Sequence, residues 1–177
     1  MLTIRPALPA DCAALAQVQV NSYRTAYAGL FPPEYLEHFS LAEQEQDWLT
    51  LLAERPEDIL LVAETAEKEI IGYTLAIAAR EVFPDYDAEL VALHVKRGYQ
   101  RGGAGKALVR RAVELLAERG AQSVMLWTLK GNPIRKWYER LGGEFLGEKQ
   151  DTIQGWTVVE VAYGWEDIGL LLAAVSR

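Results

Sequence analysis

Between Ala88 and Val95 the chain reads AELVALHV, apolar everywhere except Glu89 and His94. A strand of this kind has no face to give to water, so it belongs in the middle of a sheet covered on both sides. Directly after it comes YQRGGAGKAL. Beyond that turn, Leu108, Val109, Ala112, Val113 and Leu116 form one apolar stripe, with Arg110, Arg111, Glu114 and Glu118 elsewhere, until Gly120 stops the helix. A buried strand, a glycine turn and an amphipathic helix in succession confine the chain to a mixed α/β architecture.

The rest of the pattern extends this unit. LTIRPA alternates as a short strand, and Pro9-Ala10-Asp11 opens a helix expected to end near Gly29. PPEYLEHF and SLAEQEQDWLTLLAE read as two further helices, the second capped by Ser40 with Glu43 at the capping-box position. ILLVAE and IIGYTLAIAAR form a hairpin across AEKE, and SVMLWTL is another strand. In NPIRKWYERLGG, Asn132 reads as N-cap, Pro133 as first helical residue and Gly142-Gly143 as terminator. EFLGEKQ and WTVVEVAYGW close the pattern as an antiparallel pair. The expected result is a central sheet of about seven strands with helices packed on it. EDIGLLLAAVSR reads as a short helix docking on this domain or on a second subunit.

Chain length fits one domain over 1–177, with a core at 2–165 and a tail at 166–177. A formal charge of −7 and a pI near 4.9 argue against a sequence-independent nucleic-acid binder, which needs a basic surface. The same balance suits a cationic substrate. One cysteine, Cys12, and two histidines, His38 and His94, make no metal cluster, so no metal is expected. The prolines and Asp11 near the start interrupt any secretory leader, and nowhere do 18 apolar residues run together. These features point to a soluble cytoplasmic protein in a reducing compartment, with no membrane partner.

Gly102, Gly103 and Gly105 remove side chains where a backbone would approach a bulky ligand, and the helix behind them offers unpaired N–H groups. Together these favour a phosphate-type anion, with Arg97, Arg101 or Lys106 adding charge. A ligand-free strand-to-helix turn is the other reading of the glycines alone. Two familiar loops do not fit. A Walker A loop needs glycine where Gln100 stands and Ser or Thr where Ala107 stands. A dinucleotide fingerprint beginning at Gly103 needs a small residue at Leu108 and an acidic residue near Ser123.

What matches is Gln-x-x-Gly-x-Gly at Gln100, Gly103 and Gly105, between strand and helix, with NPIRKWYERLGG about 30 residues later. In these residues the chain resembles the GNAT superfamily of acetyl-CoA-dependent N-acetyltransferases, over about Leu2 to Trp165. The resemblance implies a GNAT-like fold whose splayed central strands form the acetyl-CoA cleft. It implies that the backbone of Gln100, Arg101, Gly102, Gly103, Ala104, Gly105 and Lys106 holds the pyrophosphate of coenzyme A. Leu93, His94 and Val95 would pair with the pantetheine arm, which Asn132 would also contact. Tyr138 matches the tyrosine that protonates the departing thiolate. Homodimers are common in the family.

The implied reaction moves acetyl to a primary amine of a small molecule or peptide by direct attack. A non-catalytic acyl-CoA-binding or sensing domain is the alternative from another class. Glu89 aligns with the general-base glutamate of histone-type members; marking the solvated beginning of the strand, or orienting a cationic acceptor, are the other readings. Strand alternation places it on the face of Leu93, away from His94. In the family the first helices wall the acceptor site, which nominates Tyr23, Tyr27 and Phe31, with Tyr73 and Trp127 completing an aromatic pocket. Glu81, Asp85 and Asp87 cluster near an entrance or form a solvated acidic loop. Cys12 reads as a small buried side chain.

Overall fold

Among the residues described by the computed structural model, 1–37, 39–79, 86–153 and 155–177, seven strands form a single sheet. They are β1 (Thr3–Pro6), β2 (Ile59–Glu64), β3 (Ile70–Ala78), β4 (Ala88–Val95), β5 (Val124–Leu129), β6 (Glu144–Ile153) and β7 (Trp156–Trp165). Their hydrogen-bonded order is β1-β2-β3-β4-β5-β7-β6, so the doubly apolar run lies in the central place. The helices are α1 (Cys12–Ala26), α2 (Pro33–Glu37), α3 (Leu41–Glu54), α4 (Ala104–Glu118), α5 (Arg135–Arg140) and α6 (Ile168–Ser176). Short 3₁₀ turns occupy Pro9–Asp11 and Arg97–Tyr99.

The chain divides into two compact units, Met1–Leu75 with Ala92–Ala112, and Ala76–Val91 with Val113–Arg177. In the first, α1 packs on α3, and Trp48 of α3 donates its indole N–H to Gln19 Oε1 at 2.8 Å. Its core holds Leu15, Val18, Leu61, Val62, Tyr73 and Leu108. The second is centred on β5, β7 and β6, with Met125, Tyr163, Trp165 and Leu171 buried. The tail helix α6 docks here: Asp167 caps it through Gly169 N, Ile168 N donates to Gln122 O at 2.7 Å, and Ile168, Leu171 and Val175 are buried.

Three local expectations change. α1 ends at Ala26, short of Gly29, because Tyr27 leaves helical backbone and Leu30 and Phe31 both donate back to its carbonyl. Asn132 does cap, accepting from Ile134 N at 3.1 Å, but the turn that follows is tighter than α. Arg135 bonds to Asn132 and Lys136 to Pro133, so the α-helix proper begins at Arg135. At Ser40 only the outward half of the capping box is seen, Glu43 N donating to Oγ at 3.4 Å.

β4 and β5 run parallel, and their register is carried by two pairs, Ala88↔Val124 and Glu89↔Met125. Asp87 secures that end of β4. Its carboxylate accepts from Gln122 N at 2.7 Å and Ser123 N at 3.1 Å, while its own N–H donates to Ser123 Oγ at 2.9 Å. These bonds hold the acid below its ordinary range. Asp87 is thus bound into the sheet margin and is not a free carboxylate at an entrance; Glu81 and Asp85 lie outside the described residues.

Candidate active site

The glycine turn begins where β4 ends. Lys96 N donates to Ile71 O, and the 3₁₀ turn Arg97–Tyr99 follows, closed by Tyr99 N to Lys96 O at 2.8 Å. Gln100 reaches back with its side-chain amide to Val95 O at 3.1 Å. Glu69, on the loop before β3, accepts from Lys96 Nζ and from the Tyr99 hydroxyl, both at 2.7 Å. Lys96 is therefore already paired, and Arg97, Arg101 and Lys106 are the other cations of the turn.

Arg101 (φ 63°) and Gly103 (φ 88°) both take the left-handed region, which turns successive N–H groups toward one side. The first α4 bond joins Ala107 N to Gly103 O at 2.9 Å, so the amides just before Ala107 are those an α-helix leaves without intrahelical partners. A Cβ on Gly105 would meet only Val95 Cγ2 at 3.7 Å and Leu93 Cδ2 at 3.9 Å, ordinary contacts. Protein packing does not require glycine there. A bulky anion approaching the backbone would.

On the other face of β4's end, His94 is ringed by aromatics. Its centroid lies 5.2 Å from Tyr73, 5.6 Å from Tyr23 and 6.4 Å from Tyr27. Tyr27 also meets Phe31 at 5.9 Å. Four of the five residues nominated as an acceptor pocket are thus brought together. Sequence reasoning passed over Tyr35, Phe39 and Trp48, whose rings continue the cluster through Phe31, Tyr23 and Tyr73. The aromatic spacing in PPEYLEHF was the available signal. Packing pulls the His94 imidazole down to about 4, so it is neutral at pH 7. Burial pushes the Tyr73 phenol well above its usual value.

Trp127, the fifth nominee, belongs to a different cluster with Tyr86, Met125 and Ala162, and Lys149 Nζ stands 4.3 Å from its ring centre. Also in the second unit, Tyr138 is buried on α5, its ring 5.4 Å from Trp137 and 6.4 Å from Tyr163. Burial raises its phenol, which keeps its proton at neutral pH. α5 is braced beside it: the Tyr163 hydroxyl donates to Glu139 at 2.7 Å and accepts from Arg135 Nε at 3.1 Å. Glu89 is 2% exposed, so it does not mark a solvated strand end. Cys12 is fully buried, as expected of a packing residue, and burial raises its thiol.

The family model for the acetyltransferase (GNAT) family matches residues 20–143. The chain belongs to the GNAT family. This GNAT acetyltransferase is 30% identical over its full length to the N-acetyltransferase YuaI of Bacillus subtilis, which it also covers completely. It is 27% identical over 128 residues to a spermidine N(1)-acetyltransferase of Thermoplasma acidophilum, covering 70% of this chain and 76% of that one. Among solved structures, the PaiA N-acetyltransferase of Thermoplasma acidophilum in complex with coenzyme A superposes with a TM-score of 0.69 at 20% identity, over 93% of this chain and 99% of that one. Those likenesses fix the fold and make this GNAT protein an acyltransferase. Among the described residues no helix is long and apolar enough to cross a membrane.

Proposed function

We propose that the protein is a single-domain enzyme transferring acetyl from acetyl-CoA to a primary amine by direct attack, with no covalent enzyme intermediate. The observation that carries this reading is the turn from Gln100 to Lys106. Its left-handed residues gather amides that the helix leaves unbonded, and packing within the protein gives no reason for glycine at Gly105. In this reading those amides hold the pyrophosphate, the backbone of Leu93, His94 and Val95 receives the pantetheine arm, and Asn132 contacts that arm. Tyr138, protonated at neutral pH, gives its proton to the departing thiolate.

The acceptor enters among Tyr23, Tyr27, Phe31 and Tyr73, rings whose faces suit an ammonium group. Trp127 stands in a separate aromatic cluster and is the weakest of the five nominations. An alkyl amine is neutral only about once in 2,500 molecules at pH 7, a deprotonation cost of about 4.6 kcal/mol. The neutral His94 imidazole offers a hydrogen-bond acceptor to the incoming amine, and Glu89 is the candidate general base. A net charge of −7 and the relative named as a spermidine acetyltransferase support trying polyamines first as acceptors.

The test is release of coenzyme A thiol from acetyl-CoA across a panel of polyamines, amino acids, aminoglycosides and peptides. Turnover with at least one class is expected. Coenzyme A binding with no turnover on any of them would replace this reading with that of an acyl-CoA-binding domain.

A further inference from the structure

β3 and β4 run antiparallel, and two of their hydrogen bonds reveal an irregularity between them. Ala79 N donates to Asp87 O at 2.9 Å, and Lys96 N donates to Ile71 O at 2.8 Å. Every bond of an antiparallel ladder joins directly opposed residues. From Ile71 to Ala79 the chain advances by eight residues, whereas from Asp87 to Lys96 it advances by nine. β4 therefore carries one residue more than its partner, a β-bulge.

Two contacts fall within the bulged span. Thr74, which has no exposed surface, donates its hydroxyl to Ala92 O at 2.8 Å. A β3 side chain thus occupies a β4 carbonyl. Two residues earlier on β3, a Cβ on Gly72 would stand 2.7 Å from His94 O and 3.1 Å from Val95 Cγ2. The missing side chain leaves room for that carbonyl. The extra residue lies between Asp87 and Lys96, a span that includes the segment proposed for the pantetheine arm.

We propose that Thr74 is a positioning residue for the donor site: its hydroxyl, bound to the Ala92 carbonyl, pins the bulge that aims the backbone of Leu93–Val95. A bulge leaves a residue unpaired, and one held only by backbone could shift along the strand. The hydroxyl holds β4 at one carbonyl inside that span, and Gly72 admits the carbonyl of His94. Packing alone does not call for threonine, since valine has the same shape and the same preference for strands. This inference rests on the reading that Leu93–Val95 receive coenzyme A.

Thr74→Val and Thr74→Ser are compared with wild type by coenzyme A affinity and by amide exchange over residues 90–97. Thr74→Val removes the hydroxyl's bond to the Ala92 carbonyl, and we expect coenzyme A to bind about tenfold more weakly, with faster exchange at Leu93–Val95. Thr74→Ser, which keeps the hydroxyl, restores affinity to within about threefold of wild type and restores the exchange pattern. A valine variant equal to wild type in affinity and exchange overturns the proposal. So does a serine variant as impaired as valine. If wild type itself binds no coenzyme A, the donor reading fails separately, and equal exchange in Thr74→Val and wild type then overturns the pinning role.

Discussion

Tyr138 holds its proton because burial disfavours the phenolate, and that defines what it can do: donate, not accept. A thiolate with an intrinsic pKa of about 8.5 leaves tolerably without help, so removing the phenol should slow transfer without abolishing it. Tyr138→Phe is expected to lower kcat tenfold or more at unchanged thermal stability, measured by thiol release; a rate equal to wild type would remove Tyr138 as the acid. His94 makes a separate prediction about folding. Its folded pKa of about 4 lies below the ordinary 6.5, so between those values the unfolded chain binds the additional proton. Its contribution is full above about pH 6.5 and is lost as pH falls toward 4, amounting to at most about 3 kcal/mol. Urea titrations of wild type and His94→Gln from pH 7.5 to 4.5 should converge as pH falls through that window. A difference independent of pH would count against a neutral imidazole among the aromatic rings.

Among the elements, α4 and the turn before it carry the clearest separation of stability from binding. Gly105 lies inside the helix, and a methyl group there meets only ordinary contacts. Gly105→Ala should leave the urea midpoint unchanged or raise stability by up to about 1 kcal/mol, because glycine is the poorer helix former. Coenzyme A affinity should fall at least tenfold in the same variant. Loss of stability instead would mean that packing demanded the glycine. The glycine turn was legible in the sequence because spacing, strand and helix are all local. The bulge in β4 was not: AELVALHV looks like an unbroken strand, and the extra residue appears only when Ile71 and Ala79 supply the ruler. α5 was misjudged at its start for a related reason. Asn132 and Pro133 have the composition of an α-helix start, but the choice between α and 3₁₀ lies in bonds to Arg135 and Lys136 that composition does not encode.

At the level of the whole molecule, the central place of β4 followed from its apolar character, and EFLGEKQ and WTVVEVAYGW read as the antiparallel pair that β6 and β7 form. Which of that pair joins β5 did not follow. β7 does so, antiparallel, from Val124↔Trp165 to Leu129↔Glu160, and β6 is left at the margin. Such contacts between distant segments are set by the packing of complete faces, which local pattern does not determine. Part of that packing is legible only in retrospect. Gly164 of β7 lies under Tyr86, whose hydroxyl oxygen would be 2.5 Å from a Cβ, and Trp165 donates its indole N–H to Leu141 O at 2.9 Å. Tyr23, Tyr27 and Phe31 were nominated from the family's habits and Tyr73 as an aromatic completing the pocket, and the sequence offered no means of seeing that His94 stands among them. Trp127 looked equivalent to these residues and belongs to another cluster, since aromatic character alone carries no address.

The burial of Cys12 has a practical side. It is the protein's one cysteine and has no accessible surface, so a thiol-reactive dye added to the folded enzyme finds only the thiol liberated from the donor. Adding denaturant afterwards uncovers one sulfur per chain. The same cuvette that follows turnover can then count the enzyme molecules in it.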